Sequence, residues 1–208
     1  THLTMAFTLY SMLTWSVMDL LRPLPSLNLA VSVKSGPIRH LNRLSMMAFG
    51  TGGLVLCTVI AGAFVAGNDA GRAYNTFPDM NGEYFPSEAW DMEPWWRNIF
   101  ENTALVQFNH RTLGLSTAAW ISGMLAYARS PAIWPMLTKS SRLAIGAVTG
   151  VAAVQVSLGI TAILYYVPVE IGSLHQTGAL VLWTSSLFLA HSLRGASKAA
   201  NVLRRRMI

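Results

Sequence analysis

Five histidines are the side chains of this sequence best suited to metal or cofactor chemistry: His2, His40, His110, His175 and His191. Neutral imidazole binds zinc, copper and haem iron. His110 and His175 lie about six and four residues into the third and fifth of five apolar segments, so at about 1.5 Å per residue both lie at a similar depth. We predict that these two bind a shared ligand, whereas His40 and His191 are expected to contact solvent or lipid headgroups.

The surroundings of the two histidines indicate which ligand they share. No third His, Cys, Asp or Glu lies at this depth, whereas zinc takes four ligands, or three and a water. Two imidazoles are enough for the axial positions of a haem. Gly114 lies at i+4 from His110 and Gly178 at i+3 from His175, which leaves room for a flat macrocycle one turn away. The alternative, histidines used in packing or in the proton relay of a transporter, stays open.

Two polar residues beside His110 extend the predicted site. Gln107, at i−3, lies one turn nearer the end of the segment, where it can reach a haem propionate or a residue that orients a ligand. Arg111 carries a guanidinium whose natural partner is a carboxylate such as a propionate. The alternatives for Arg111 are an extended side chain that reaches the membrane interface and an ion pair with Glu101.

The composition places these residues in an integral membrane protein. Of the 208 residues, 52% are hydrophobic and 12% are charged, against about a quarter charged in soluble proteins. Five apolar segments are each long enough to cross a hydrocarbon core of about 30 Å. Their ranges are 3–21, 46–67, 104–128, 143–167 and 171–193. We therefore predict an all-α membrane protein with five transmembrane helices. The single cysteine, Cys57, is expected to be a small core residue.

The net charge is +6, and the charged residues are grouped by sign in the segments that connect the apolar stretches. This distribution is not that of a nucleic-acid-binding surface. Residues 22–45, 129–142 and the tail 194–208 are basic, whereas residues 68–103 contain seven acidic and two basic residues. A path of five helices places every basic segment on one side of the membrane, as the positive-inside rule requires. We therefore predict no nucleic-acid partner.

A short repeat relates the first and last apolar segments. They read HLTMAFTLYS from His2 and HQTGALVLWT from His175, and share Thr, Ala and Leu at the third, fifth and eighth positions. This repeat predicts a duplicated helical module whose first copy lies mostly upstream, so His2 should have a histidine partner there. The predicted parts are the last helix of the first module (1–21), a linker (22–45), a four-helix bundle (46–193) and a basic tail (194–208).

Several longer motifs lie in order along nearly the whole chain. They are GAFVAGNDAG from Gly62, YNTFP from Tyr74, EN from Glu101, VQFNHR from Val106, QVSLG from Gln155, YVP from Tyr166 and HQ from His175. These motifs resemble those of the haem A synthases of the Cox15/CtaA family. Asn68 and Arg72 depart from the family pattern, in which apolar residues are usual there, and the N-terminal part is missing. The long acidic loop without a cysteine pair resembles the mitochondrial and proteobacterial branch.

The resemblance implies two four-helix bundles with different roles. His110 and His175 would ligate a haem b cofactor in the C-terminal bundle, and His2 would be a catalytic-site ligand of the substrate haem, with its partner His and a Glu upstream. The implied activity is oxidation of the C8 methyl of haem O to the formyl group of haem A, for cytochrome c oxidase. On this interpretation the fragment alone is inactive. A membrane b-type cytochrome that only transfers electrons is the alternative.

The resemblance also implies partners and a location. The implied partners are haem O synthase and an electron donor such as a ferredoxin system, and a homo-oligomer is compatible with the sequence. The implied location is the mitochondrial inner membrane or a bacterial plasma membrane, which the chain would cross several times.

Overall fold

A computed structural model describes residues 2–21 and 35–206, and in this part of the chain the regular structure is helical. There are five long helices and one short one: α1 (His2–Leu21), α2 (Ser35–Gly67), α3 (Arg97–Glu101), α4 (Thr103–Ala128), α5 (Lys139–Leu164) and α6 (Val169–Arg206). Each long helix overlaps one of the five predicted apolar segments, so the all-α fold class is confirmed. Over the same residues the β pairing consists of one isolated bridge, Met80 with Glu83.

Two helices extend beyond the apolar segments that predicted them. α2 begins at Ser35, well before the apolar run from residue 46, and α6 continues to Arg206. Polar residues can continue a helix after its apolar face has ended, so hydropathy marks the buried stretch rather than the helix end. Part of the predicted linker is therefore helical, while residues 22–34 lie outside the described residues.

Local hydrogen bonds set the start of α4 and the end of α5. The Asn102 side-chain oxygen accepts a hydrogen bond from the Leu105 N–H at 3.1 Å at the start of α4, the usual role of an N-cap residue. After α5, Tyr166 and Val167 have φ angles of 61° and 53°, and the Val167 N–H donates to the Ala162 carbonyl at 2.7 Å. This left-handed ending satisfies free carbonyls of the last turn.

Two of the helices are long and apolar enough to cross a membrane by length and composition: Arg39–Gly67 within α2 and Lys139–Leu164, which is α5. α4 is also long, but it carries the consecutive polar residues Asn109, His110 and Arg111, which lower its hydropathy. The described residues are therefore compatible with an all-helical membrane protein, and the five-span arrangement stays a prediction.

Packing divides the chain into two compact units. The first consists of Thr1–Gly53, Trp120–Gly150 and Trp183–Ile208, and the second of Leu54–Ala119 and Val151–Leu182, each within the described residues. α2, α4, α5 and α6 contribute residues to both units. The first unit contains His2, and the second contains His110 and His175. The predicted domain limits stay a prediction.

Fully buried apolar side chains form the interior of each unit. Those of the first unit include Leu44, Ala48, Ile121, Met124, Ile145, Val148 and Leu189. Those of the second unit include Val55, Leu105, Val106, Ala152 and Ala162. Cys57 is exposed, so its prediction as a core residue is wrong. It lies on a stripe of α2 that also contains the exposed residues Phe49 and Ile60, and this face of the helix is not covered.

In the first unit, α1 packs along α6 through aromatic and polar contacts. The Trp183 ring nitrogen donates to the Ser11 hydroxyl at 3.0 Å, and the Trp183 ring lies 6.0 Å from that of Phe7. Nearer the other end of α1, His191 is buried and its Nε2 lies 3.1 Å from Asp19 Oδ1. The prediction that His191 contacts solvent or headgroups is therefore wrong, because α1 covers that face of α6.

Candidate functional site

α4 and α6 bring His110 and His175 together in the second unit. Their ring centroids are 6.3 Å apart, and the ring planes are nearly perpendicular, at 86°. The two histidines lie 65 positions apart in the sequence, so only the packing of the helices makes them neighbours. The shared ligand itself stays a prediction.

The ring separation fits two imidazoles on opposite sides of one metal ion. Imidazole nitrogens bind metals at about 2 Å and lie about 1 Å from their ring centroid, which gives a centroid separation of about 6 Å. Within residues 2–21 and 35–206, no group of three or more His, Cys, Asp or Glu could hold a metal ion. The donor set is thus two imidazoles, which fits axial ligation of a haem iron and is too small for a structural zinc site.

His110 is held by α2. Its Nδ1 lies 3.1 Å from the backbone carbonyl oxygen of Thr58. Because a carbonyl only accepts, the Nδ1 must carry the proton of this hydrogen bond, and Nε2 is left with its lone pair. The ring also lies directly on Gly62, where a Cβ atom would come within 2.9 Å of His110 Cε1.

His175 is held in a related way by α5. A Cβ atom on Gly159 would lie 3.1 Å from His175 Cε1. The buried Nδ1 of His175 has no hydrogen-bond partner among the described residues. Neither Gly62 nor Gly159 was predicted as a site residue, because small residues in apolar helices are typical of helix packing in general.

The two glycines that were predicted to make room for a macrocycle differ in their surroundings. A Cβ atom on Gly114 would have only Thr58 Cγ2 near it, at 4.0 Å, so this face is open. A Cβ atom on Gly178 would overlap the side-chain amide nitrogen of Gln155. A macrocycle on the Gly178 face therefore requires the Gln155 side chain to move, and both glycine assignments stay predictions.

Arg111 holds the loop that precedes α3. Its guanidinium donates to the backbone carbonyls of Tyr74 at 2.7 Å, Asp79 at 2.8 Å and Thr76 at 2.9 Å. Glu101 pairs with Arg97 at 2.7 Å instead. The turn-forming sequence YNTFP signals that loop carbonyls will lack backbone partners, but it does not say which side chain supplies the donors. Contact of Arg111 with a propionate stays a prediction.

Gln107 also contacts the backbone near this loop. Its side-chain nitrogen donates to the Ala70 carbonyl, while its buried side-chain oxygen has no hydrogen-bond partner. A buried amide oxygen without a donor is unfavourable by about 1–3 kcal/mol. Gln107 is therefore still suited to accept a hydrogen bond from a bound group or a water molecule, and its predicted role remains a prediction.

The acidic loop is folded around its own polar residues. Buried Asn98 accepts a hydrogen bond from the Met92 N–H at 3.0 Å and donates to the Trp95 carbonyl at 2.9 Å. Asn102 donates to the Glu88 carbonyl at 2.7 Å. These bonds satisfy backbone groups that a loop would otherwise leave to water, so the loop is an ordered part of the second unit.

Two ionisable groups of this loop have shifted pKa values. Burial and the neighbouring Glu88 carboxylate raise the pKa of Tyr74 to about 12, so its phenol stays protonated at neutral pH and donates to Glu88 at 2.9 Å. Hydrogen bonds from the Thr76 hydroxyl and the Gly82 N–H lower the pKa of the Asp79 carboxyl. The Asp79 carboxylate, close to Arg111, is therefore ionised over the whole physiological range.

The other histidines lie in the first unit. His2 begins α1 and is exposed. His40 is also exposed, as predicted, and its Nδ1 lies 2.9 Å from the Tyr127 hydroxyl. The structure therefore groups His110 with His175 and leaves His2 in a different compact unit.

The described residues define an all-helical protein with helices of membrane length and a pair of histidines suited to the axial positions of one metal centre. The chain belongs to the COX15-CtaA family, which is described as "Cytochrome oxidase assembly protein". The model of this family matches residues 1–187. The family resemblance stated from the motifs is thereby confirmed.

Relatives of this chain include proteins of a plant, a bacterium and a fungus. The chain is 42% identical to "Heme A synthase COX15" of Arabidopsis thaliana, over 94% of this chain and 41% of that protein. It is 39% identical to "Heme A synthase" of Nitrosospira multiformis, over 93% of this chain and 51% of that protein. It is 37% identical to "Heme A synthase-mitochondrial ferredoxin fusion protein" of Schizosaccharomyces pombe, over 97% of this chain and 36% of that protein. The chain thus spans about half the length of these relatives or less. No solved structure matches it.

Proposed function

We propose that this chain is the cofactor-binding portion of a haem A synthase, with His110 and His175 as the axial ligands of a haem b. The observation that carries this proposal is the 6.3 Å separation of the two ring centroids. The hydrogen bond from His110 Nδ1 to the Thr58 carbonyl supports it, because ligating histidines are usually oriented by such a bond from their other nitrogen.

The proposed reaction of the whole protein is the oxidation of the C8 methyl group of haem O to the formyl group of haem A. A haem with two imidazole ligands has no open iron position and supplies electron transfer. The oxidation itself is therefore assigned to the substrate haem in the other module, where His2 is the proposed ligand. The names of the relatives, "Heme A synthase COX15" and "Heme A synthase", support haem A as the product.

The same proposal includes an electron partner, a substrate source and a location. The relative that is fused to a mitochondrial ferredoxin supports a ferredoxin-type donor, and a haem O synthase must supply the substrate. Two helices of membrane length and the charge difference between the loops support a multi-pass protein of the mitochondrial inner membrane or a bacterial plasma membrane. A homo-oligomer is compatible with these observations.

The test compares His2→Ala with wild type in the full-length protein, expressed in cells that make haem O. We expect formyl haem, measured as its pyridine haemochrome, to fall by more than about tenfold, as for loss of a metal-ligand interaction. The b-type spectrum should persist, because His2 belongs to a different compact unit from His110 and His175. His40→Ala is the matched control, since His40 is another exposed histidine of the first unit.

Three results would contradict parts of this proposal. Wild-type levels of formyl haem in His2→Ala would exclude His2 as the substrate ligand. A wild-type protein that binds haem b but forms no formyl haem would favour the electron-transferring cytochrome. A colourless wild-type protein would favour a membrane protein without haem, such as a transporter.

A further inference from the structure

Each histidine of the proposed haem site packs on a glycine of a neighbouring helix. At His110 this glycine lies four residues after the residue whose carbonyl accepts the hydrogen bond from the imidazole. On α2 the pair is Thr58 and Gly62, which contact His110. In an α-helix the carbonyl of residue i bonds the N–H of residue i+4, so the missing side chain at Gly62 uncovers the Thr58 carbonyl. The second lone pair of that oxygen then accepts the proton of His110 Nδ1.

The same spacing occurs on α5, where the pair is Gln155 and Gly159. The His175 ring lies on Gly159, and Gln155 is four residues before this glycine. His175 Nδ1 is buried there without a hydrogen bond, which is unfavourable. By the same helix geometry, the missing side chain at Gly159 uncovers the Gln155 carbonyl, which is an acceptor for this nitrogen.

A Cβ atom added at Gly62 or Gly159 would have less space than one added at several other glycines of the same helices. A Cβ atom would lie 2.9 Å from His110 Cε1 at Gly62 and 3.1 Å from His175 Cε1 at Gly159. By contrast, Gly53 on α2 and Gly150 on α5 have nothing within 4 Å of such a Cβ atom. A Cβ atom on Gly50 of α2 would likewise lie 3.1 Å from Trp120, so Gly62 and Gly159 are distinguished by the histidine rings that pack on them.

We propose that Gly62 and Gly159 are positioning residues, each of which exposes one helix carbonyl so that it accepts the Nδ1 proton of a histidine. This interaction sets the ring orientation and the tautomer, and it leaves Nε2 of both histidines for the iron. At His175 the corresponding acceptor is the Gln155 carbonyl, and ligation at Nε2 would make the Nδ1–H a stronger donor to it. The assignment of the metal as haem iron rests on the proposed function.

The two carbonyls should also influence the electronic properties of the haem. A hydrogen bond from the second ring nitrogen raises the basicity of a ligating imidazole. A more basic ligand stabilises the ferric iron, so loss of the bond should raise the midpoint potential. A change that only loosened the helix packing would lower haem occupancy without this directed shift.

The experiment uses the full-length protein with Gly62→Ala and Gly159→Ala, and with Gly53→Ala and Gly150→Ala as matched controls on the same two helices. We expect the first two variants to bind haem b about 10- to 100-fold more weakly and to have a raised midpoint potential. Both controls should match wild type. Spectroelectrochemical titration measures the potential, and haem titration measures the affinity.

A second measurement uses the haem-free protein. Nitrogen-15 NMR of the labelled histidine side chains should show the Nδ1-protonated tautomer for His110 in wild type, and loss of this preference in Gly62→Ala. This measurement does not require haem, so it tests the inference independently of haem binding. A wild-type protein that bound no haem would refute the proposed function but not the inference about Gly62. Three results would each overturn the inference. They are unchanged haem affinity and midpoint potential in Gly62→Ala and Gly159→Ala, equal changes in the two control variants, and an Nε2-protonated His110 in wild type.

Discussion

Nε2 of His191 lies 3.1 Å from Oδ1 of Asp19, so a buried histidine of the last helix is bonded to a carboxylate of the first. Arg194 contacts the same carboxylate oxygen. The Trp15 ring packs edge-on against the His191 ring, with centroids 5.2 Å apart. α1 is therefore joined to α6 by a charged and aromatic cluster in addition to its contacts with Trp183.

We expect this cluster to stabilise the first unit. Asp19→Leu removes the acceptor shared by His191 and Arg194 and should lower the midpoint of thermal unfolding. Asp19→Asn should lower it less, because the amide oxygen still accepts a hydrogen bond although the ion pair with Arg194 is lost. Thermal unfolding in detergent measures both variants. Glu93→Gln, which changes an exposed loop carboxylate, is the control. An unchanged midpoint in Asp19→Leu would contradict the prediction.

Replacement of either ligand histidine should remove the low-spin b-type haem signal. One remaining imidazole cannot fill both axial positions, so His110→Ala and His175→Ala should each abolish the signal in electron paramagnetic resonance and in the reduced-minus-oxidised spectrum. His40→Ala is a better control than His191→Ala, because His40 is exposed whereas His191 is buried against Asp19. A spectrum unchanged in both ligand variants would refute the assignment.

Arg111→Lys should loosen the loop that contains Tyr74 and Asp79. A lysine ammonium cannot match the planar guanidinium that reaches three carbonyls, and each hydrogen bond lost from a charged group is worth about 1.5–3 kcal/mol. Loss of one such bond corresponds to at least about tenfold faster hydrogen exchange in the loop. Mass spectrometry of the exchanged peptides measures this rate.

Arg97→Lys is the matched control for the loop experiment. Its ion pair with Glu101 is exposed, and such pairs contribute about 0–1 kcal/mol. Hydrogen exchange between Tyr74 and Asp79 should therefore stay close to wild type. Similar acceleration in Arg97→Lys and Arg111→Lys would show that the carbonyl contacts of Arg111 do not hold the loop.

The charge distribution predicts that Ser87 and Lys139 face opposite sides of the membrane. Ser87→Cys and Lys139→Cys should be labelled by an impermeant thiol reagent from opposite sides. The background must carry Cys57→Ser, because the native cysteine is exposed on α2. Both introduced positions are themselves exposed. Labelling of both from the same side would exclude the five-span path.

The helices and the similar depth of His110 and His175 could be inferred from the sequence because both depend on local information. Apolar segments of about 20 residues predict helices wherever they lie, and the depths of His110 and His175 follow from counting along their own helices. The ordered motifs around these histidines were enough to indicate the family. The helix ends at Ser35 and Arg206 were missed, since polar residues extend a helix without an apolar signal.

The partners of individual side chains were decided by the tertiary structure. His191 is buried because α1 covers one face of α6, and Arg111 donates to carbonyls that the path of the loop brings to it. Gly62 and Gly159 look like ordinary small residues in the sequence. Their role depends on which ring packs on them, and that contact joins residues of different helices whose relative rotation no local pattern specifies.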